Sequence, residues 1–383
     1  MFKRLAGADE ARRDLLEQCK PVLRTEILPL NFSIGRIISK NLLSDIDLPA
    51  FNRAAMDGFA VRSCDTRGAK PQFPVYLDHF QPIRTGMVVP ENYDAVVMLE
   101  DALLRGHQIE VSAELYPYKN ISKFGEDVRH DEIVFKEGHR LRPPDIALLA
   151  ALEKKKVEVY ARPRVAIIPT GGELVPLWAR TLRPGEAYEI NGLMTKLYVE
   201  MWGGEPFLHD AVPDNFELIR SAMEANLKMD MIILIGGTSV GEKDYAPKAL
   251  KELGDLLAHG VRIQPGKPTA LGIVHKKPVI CLPGYPVAAL SSLYLFVRPT
   301  LKKMAHLEDS ISVILAKLDR KIASKSGYLN IVRVELKSDK AIPISASGAG
   351  ILSSVAKAHG FILIPEEKEG LEAGEEVEVT LFE

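Results

Sequence analysis

Cysteine is scarce in this sequence: Cys19, Cys64 and Cys281 are the only three in 383 residues, an odd number at wide spacing. No Cys-x-x-Cys pair or histidine cluster at metal-ligand spacing accompanies them, which argues against a disulfide framework or a zinc site and points to a reducing cytoplasm. An excess of one charge is missing too. Lys and Arg number 49 against 51 Asp and Glu, a formal net charge of -2, so no broad field draws in nucleic acid or an anionic membrane, and anion binding must be local. No apolar run approaches a membrane span, and the opening MFKRLAGADEARRDLLEQCK has no signal-peptide core, so a soluble cytoplasmic protein is expected. A G-x-S-x-G elbow is absent, Cys281 sits in an apolar run and the nine histidines form no motif, which argues against serine, cysteine and histidine nucleophiles. Fixed-period repeats and low-complexity tracts are absent as well.

What is present reads as several globular domains. Hydrophobic residues make up 46% and charged residues 26%, and the length suits two to four domains. Ala11, Leu15, Leu16 and Cys19 recur at helical spacing. From 71 to 137, short alternating runs split by Pro and Gly predict a small all-β module. PPDIALLAAL, from Pro143 to Leu152, predicts a helix with proline near its start, and EKKKVEVYARP reads as a domain crossing. From 163 strands and helices alternate: RVAIIPT, a helical face of Leu193, Leu197, Tyr198 and Met201, then MIILI, VICL and a helix over Val287 to Val297. Such alternation predicts a parallel sheet with ligands at the carboxyl ends of its strands. Beyond Arg298-Pro299 the strands SVILAKL, YLNIVRVEL, AIPIS, GFILIPEE and EEVEVTLF predict a compact β domain, barrel or sandwich. The fold class expected is therefore multidomain α/β, with a central parallel-sheet domain, β-rich N-terminal modules and a C-terminal β-barrel-like domain.

The chemistry concentrates between Asp230 and Leu290. The apolar run Met231 to Ile235 empties into Gly236-Gly237-Thr238-Ser239-Val240-Gly241, a loop whose small residues let backbone N–H groups converge on an anion. It has neither the P-loop ending nor the spacing of a dinucleotide fingerprint. Lys267 stands between prolines in QPGKP, which aims its ammonium, and LPGYPVAAL places Pro283 and Gly284 after a second apolar strand. Carboxylates beside an anion site need a divalent cation, and Asp244, Glu173 and Asp57 are candidates to hold Mg²⁺ against phosphate oxygens. Glu173, the 236–244 loop and the 283–286 turn are expected to share one open rim. Each residue also has a structural reading: Asp244 as a helix N-cap, Asp57 as a turn cap, Lys267 as a solvated lysine, and Arg84-Thr85-Gly86 and Gly125-Glu126-Asp127 as ordinary turns. For Asp214, in Asp214-Asn215-Phe216-Glu217, a capping box is the leading reading.

With these residues in view, the chain resembles the MoeA-like molybdopterin molybdenumtransferases, the family that includes the gephyrin E domain. FNRAAMDGFAV, RTG, DAVVMLED, GEDVR, RVAIIPTGGELV, GGTSVGEKDY, PGKP, LPGYPVAAL and GAGILSSVAKAHGFILIPEEKEGLEAGEEVEV follow in family order over nearly the whole chain. The resemblance implies a four-domain subunit: an α/β molybdopterin-binding domain from 1–22 and 162–305, a linking domain from 23–46 and 126–161, a small β domain over 47–125 and a C-terminal β domain over 306–383. It implies a homodimer whose cleft lies between the α/β domain of one subunit and the AMDG-bearing portion of the other. The reaction implied inserts molybdate, with tungstate the alternative, into adenylylated molybdopterin, releasing AMP with the help of Mg²⁺. A molybdopterin-adenylylating protein and molybdoenzymes are the implied partners.

By motif, Asp57, Asp127, Glu173 and Asp244 match the family's catalytic carboxylates, with Glu173 and Asp244 as metal ligands. Asp214 matches a further acidic position. Thr85, Gly236, Gly237, Thr238, Ser239, Gly241, Lys267, Pro283, Gly284 and Arg333 match its substrate-binding positions. Four positions depart: Gly172 for an aspartate, Tyr285 for an asparagine, Ala288 for a serine and Tyr328 for an arginine. Gly172 loses a carboxylate, while Ala288 and Tyr328 lose a hydroxyl and a guanidinium that would donate to an oxyanion; these departures support a second reading, a catalytically impaired paralogue that binds the pterin nucleotide or acts as a scaffold.

Overall fold

A computed structural model of the chain describes residues 5–178, 181–238, 244–344 and 351–383. They form two compact units, one of the described residues up to 24 and from 160 onward, the other of 25–159.

The larger unit is built on a six-stranded sheet. Strands Glu205–Leu208, Arg164–Pro169, Met231–Ile235, Lys277–Leu282, Ala270–Val274 and Asp255–His259 lie side by side in that order. The first four are parallel; the last two run antiparallel to their neighbours, so the expected parallel sheet is a mixed one. All five residues of Met231–Ile235 are buried, because helices cover both faces and an unbroken apolar run suits such a strand. Val165, Ile167, Met231 and Ile233 pack on one side with Leu15, Val199, Trp202 and Phe296. Ala166, Ile168, Ile232 and Leu234 pack on the other with Ile219, Met223 and Leu250. Each buried side chain of that size contributes about 1.5–3 kcal/mol.

The helix expected to stop at Val297 continues. Pro286–Ser292 runs into a π turn, Leu293–Val297, and then into Arg298–Met304 with Pro299 in its first turn. Proline is tolerated there because the wider π turn just ahead of it already shifts the backbone ladder where its N–H is missing.

The C-terminal strands close into a barrel. Leu329–Lys337, Lys340–Pro343, Val313–Leu318, Glu376–Leu381 and Gly360–Ile364 pair in turn, and the last returns to the first. Leu318, Val334, Ile364 and Val379 fill its interior. Ile263–Gln264 adds to the barrel as a short parallel strand against Leu329–Asn330, which joins barrel and α/β sheet within this unit.

The smaller unit holds two three-stranded antiparallel sheets: Gln81–Ile83, Gly58–Val61 and Ala95–Met98 in one, Val75–Leu77, Gln108–Val111 and Ala102–Arg105 in the other. Its helix, Pro143–Ala151, opens on a capping box of Arg142 and Asp145. No helix among the described residues is long and apolar enough to cross a membrane.

Candidate functional site

The carboxyl ends of Arg164–Pro169, Met231–Ile235 and Lys277–Leu282 meet at one rim. Thr170 locks it: its N–H donates to Ile235 O at 2.7 Å, while Gly236 N–H donates to Leu282 O at 3.0 Å. Gly236 and Gly237 adopt φ of 95° and 62°, and a Cβ on Gly236 would stand 2.5 Å from Thr170 O. Only glycine lets the loop lie this close to the neighbouring strand. Asn191 Nδ2 donates to Gly284 O at 2.7 Å and so pins the Pro283-Gly284 turn to the start of the helix Asn191–Met201.

A chamber of about 370 Å³ opens above this rim. Glu173, Gly236, Gly237, Thr238, Pro283 and Gly284 all line it. So do Asp214, Glu189 and Asn191, and no lysine or arginine among the described residues does. Asp214 is not the helix cap expected of it. Asn215 Oδ1 accepts from Leu218 N–H at 3.1 Å, which puts the cap one residue later and leaves the Asp214 carboxylate to the chamber. Glu189 accepts from Gly192 N–H at 2.6 Å; burial raises its pKa, and the backbone N–H groups of Gly192, Leu193 and Asn191 act against that rise.

Asp244 departs from both readings given to it. It occupies the N-cap position of Tyr245–Leu253 but makes no capping bond. Nor does it stand on an open rim, since only 6% of it is exposed. Its Oδ2 bonds His259 Nε2 at 2.6 Å, and its Oδ1 is buried with no hydrogen-bond partner among the described residues. An orphaned carboxylate oxygen of this kind suits a bound cation. Among the described residues no group of three or more His, Cys, Asp or Glu could hold a metal, and Asp244 does not line the chamber that Glu173 lines. Mg²⁺ needs only one or two carboxylates when phosphate oxygens and water complete its octahedron, so the residues present fit it.

A second chamber, about 860 Å³, adjoins the first through Pro268, Pro283 and Tyr285. The pairing of Ile263–Gln264 with the barrel brings its two walls together: Lys267 on the α/β side, Tyr328 and Arg333 on the barrel side. Arg320, Lys321 and Lys325 also line it, and no carboxylate among the described residues does. Burial lowers the pKa of the Arg333 guanidinium, as expected for a desolvated cation. Ala288 lines this chamber with no hydroxyl to offer, and Tyr285 stands 67% exposed at the junction. At Gly172 a Cβ would meet no described atom within 4 Å beyond its chain neighbours, so space is not what keeps a larger side chain from this position.

In the smaller unit Asp57 and Thr85 meet. Thr85 N–H donates to Asp57 Oδ1 at 2.7 Å; that bond first, and the Thr85 side chain next, hold the carboxyl below its usual range. Gly58 is required beside it, since a Cβ there would lie 1.8 Å from Val97 O. Asp127 stands exposed on a separate loop, its N–H on Leu48 O at 3.0 Å. Ser239 and Gly241 lie outside the described residues. Glu189, Asn191, His259, Arg320, Lys321 and Lys325 are absent from the sequence reading. A polar residue opening a helix was the one signal for Asn191, and no motif marks the others.

Three family models match the chain in succession: "MoeA N-terminal region (domain I and II)" over residues 7–152, "Probable molybdopterin binding domain" over 166–303 and "MoeA C-terminal region (domain IV)" over 315–382. A molybdopterin biosynthesis protein of Methanocaldococcus jannaschii is 36% identical over 97% of this chain and 95% of its own. A molybdopterin molybdenumtransferase of Haemophilus influenzae is 31% identical over 98% of each. The crystal structure of a molybdopterin biosynthesis MoeA protein from Pyrococcus horikoshii superposes with a TM-score of 0.83 at 32% identity, over 99% of this chain and 100% of that one. With relatives of this identity spanning nearly its whole length, the chain belongs to the MoeA family, the molybdopterin molybdenumtransferases of molybdenum cofactor biosynthesis.

Proposed function

We propose that the protein inserts molybdate, or tungstate, into adenylylated molybdopterin and releases AMP. The observation that carries this reading is the pair of adjoining chambers, one lined by carboxylates and a glycine loop, the other by five cations and, among the described residues, no carboxylate. Such a pair suits a ligand whose phosphates reach the sheet end and a free oxyanion beside it. Gly237 and Thr238 present the loop backbone to the phosphate, Gly236 holds that loop on the rim through its own bond to Leu282 O, and Lys267 and Arg333 draw the oxyanion. Glu173 would hold Mg²⁺ in the first chamber with phosphate oxygens and water completing its shell, and Asp244, outside that lining, offers its orphaned Oδ1 as a separate cation ligand; the ion would neutralise phosphate charge and stabilise the leaving phosphate oxygen. Asn191 keeps the Pro283-Gly284 turn in place, which keeps the passage between the chambers open.

Asp57, Thr85 and Asp127 belong to the same reaction in a cytoplasmic homodimer, with the four-domain division the resemblance implies. A molybdopterin-adenylylating protein would supply the substrate and molybdoenzymes receive the product. The second reading, a pterin-nucleotide-binding scaffold, draws on Ala288, which lacks the serine hydroxyl of the resembling family, and on Tyr285 and Tyr328, which put phenols where that family has an amide and a guanidinium. Reconstitution of a cofactor-free molybdoenzyme separates the two. Incubating the protein with adenylylated molybdopterin, Mg²⁺ and molybdate is expected to activate that enzyme, and omitting molybdate to leave it inactive. Tight pterin binding with no activation at any molybdate concentration would leave the scaffold.

A further inference from the structure

The basic chamber holds more cations than Lys267 and Arg333, and they differ in what surrounds them. Arg320 Nη2 donates to Pro343 O, and Lys321 pairs with Glu372 at 2.6 Å. Lys325 makes no ion pair among the described residues; its ammonium lies 4.6 Å from the centre of the Tyr328 ring. The difference matters to a ligand. A cation already paired with a carboxylate presents a nearly neutral dipole, whereas one backed by an aromatic face keeps its whole charge and its N–H donors.

The turn that carries Lys325 and Tyr328 is also fixed. Asn330, buried in Leu329–Lys337, donates through Nδ2 to Tyr328 O at 2.7 Å and to Lys325 O at 3.0 Å. Its Oδ1 accepts from Lys325 N–H at 3.4 Å. Asn330 itself lies in register with Gln264, three residues before Lys267. One short strand pairing thus sets both the Lys267 turn and the Lys325–Tyr328 turn on the same chamber. An ordinary surface lysine gives up much side-chain entropy when it binds; here the backbone and the ring have already removed part of that freedom.

We propose that Lys325, with Tyr328 as its positioning residue, is an anion-binding residue of this chamber, contacting a tetrahedral dianionic oxyanion. The proposal rests on the enzyme reading above and adds to it a residue with no place in the motifs. The dianion is free molybdate or the phosphate of the nucleotide, and the two share the chemistry that recognises them.

Calorimetric titration of the full chain with sodium molybdate, and separately with AMP, tests it. Lys325→Gln should weaken binding of molybdate about tenfold, the loss of one charged hydrogen bond, while Lys325→Arg stays within about twofold because the charge is kept. Tyr328→Phe should keep parent affinity and Tyr328→Ala lose about threefold, as expected for an exposed cation–π contact. Lys317→Gln, an exposed lysine of the barrel outside the chamber lining, should change nothing. The same pattern with AMP in place of molybdate would support the proposal with phosphate as the source. Parent-like binding of both anions by Lys325→Gln would overturn it, as would an equal loss in Lys317→Gln. A parent protein that binds neither anion would overturn the enzyme reading itself, and that result is read without any variant.

Discussion

Replacing Gly236 with alanine should damage both the fold and the site, while the same change at Gly284 should spare the fold. At Gly236 the new Cβ would lie 2.5 Å from Thr170 O and 2.9 Å from Thr170 Oγ1. Thr170 cannot give way: it is buried, and its N–H and Oγ1 both donate to Ile235 O, at 2.7 and 3.2 Å. The loop must move instead, at about 1–3 kcal/mol of backbone strain for a non-glycine residue at this φ. Weakening the Gly236 N–H bond to Leu282 O adds about 1 kcal/mol. The sum, about 2–4 kcal/mol, corresponds to a fall in Tm of roughly 4–16 °C for a domain of this size. At Gly284 the nearest atom to a Cβ is Gly236 Cα at 3.7 Å, an ordinary contact, so the cost should stay within about 0.5 kcal/mol. Thermal melts of the two variants, followed by titration with AMP, should show Gly236→Ala destabilised and weak in binding, and Gly284→Ala native in its melt. A Gly236→Ala protein that melts and binds AMP like the parent would show that the rim is not held as described.

Glu173→Gln and Asp244→Asn should each lower Mg²⁺-dependent AMP release at least about tenfold, the scale set by loss of a metal-site interaction. In Asp244→Asn the amide can keep the His259 bond, so the melt should move little; unchanged turnover in both would reduce these carboxylates to structural roles. Lys267→Ala should weaken molybdate binding about tenfold and flatten its salt dependence, read by calorimetry at two ionic strengths; identical affinity and salt response would place Lys267 in solvent. Asp145 gives a test of the smaller unit by pH. The Arg142 side chain first, with His139 and the Arg142 N–H, holds its carboxyl well below the usual range against the effect of burial. Its folded pKa is below the unfolded value of about 3.9, so its stabilisation is complete above that pH and is lost as pH falls through the folded pKa. Asp145→Asn should melt several degrees below the parent at pH 7, with the gap narrowing under pH 4; a gap independent of pH would remove the charge from the explanation.

Much of the fold was legible because its strands are unbroken apolar runs between glycines and prolines. MIILI and RVAIIP could hardly be anything but buried strands, and they carry the rim. DLLAH and ALGIV were not read as strands, since short runs without alternation resemble loops, and their antiparallel direction depends on a hairpin the pattern does not encode. Closure of the barrel is likewise non-local: Leu329–Lys337 pairs on both sides, and no single run shows that. Asp214 was misread through spacing alone. Asp214 with Glu217 and Asn215 with Leu218 are equally spaced, and only the side-chain bond of Asn215 decides. The rim carboxylate Glu173 and the glycine loop were found because small residues after a strand have a physical meaning. The burial of Asp244 was not, because His259 reaches it from a strand 15 residues on. Lys325 had no signal at all: its role depends on a ring three residues away and on Asn330, whose bonds are visible only in the folded turn.

Release of AMP under control of an oxyanion tests the central claim most directly. Purified protein is mixed anaerobically with adenylylated molybdopterin and Mg²⁺, and AMP is followed by chromatography as molybdate is raised from zero. AMP is expected to accumulate only once molybdate or tungstate is added, to require Mg²⁺, and to fall sharply with Glu173→Gln. Release at the same rate without any oxyanion, or none at saturating molybdate with the pterin nucleotide bound, would contradict insertion at the paired chambers.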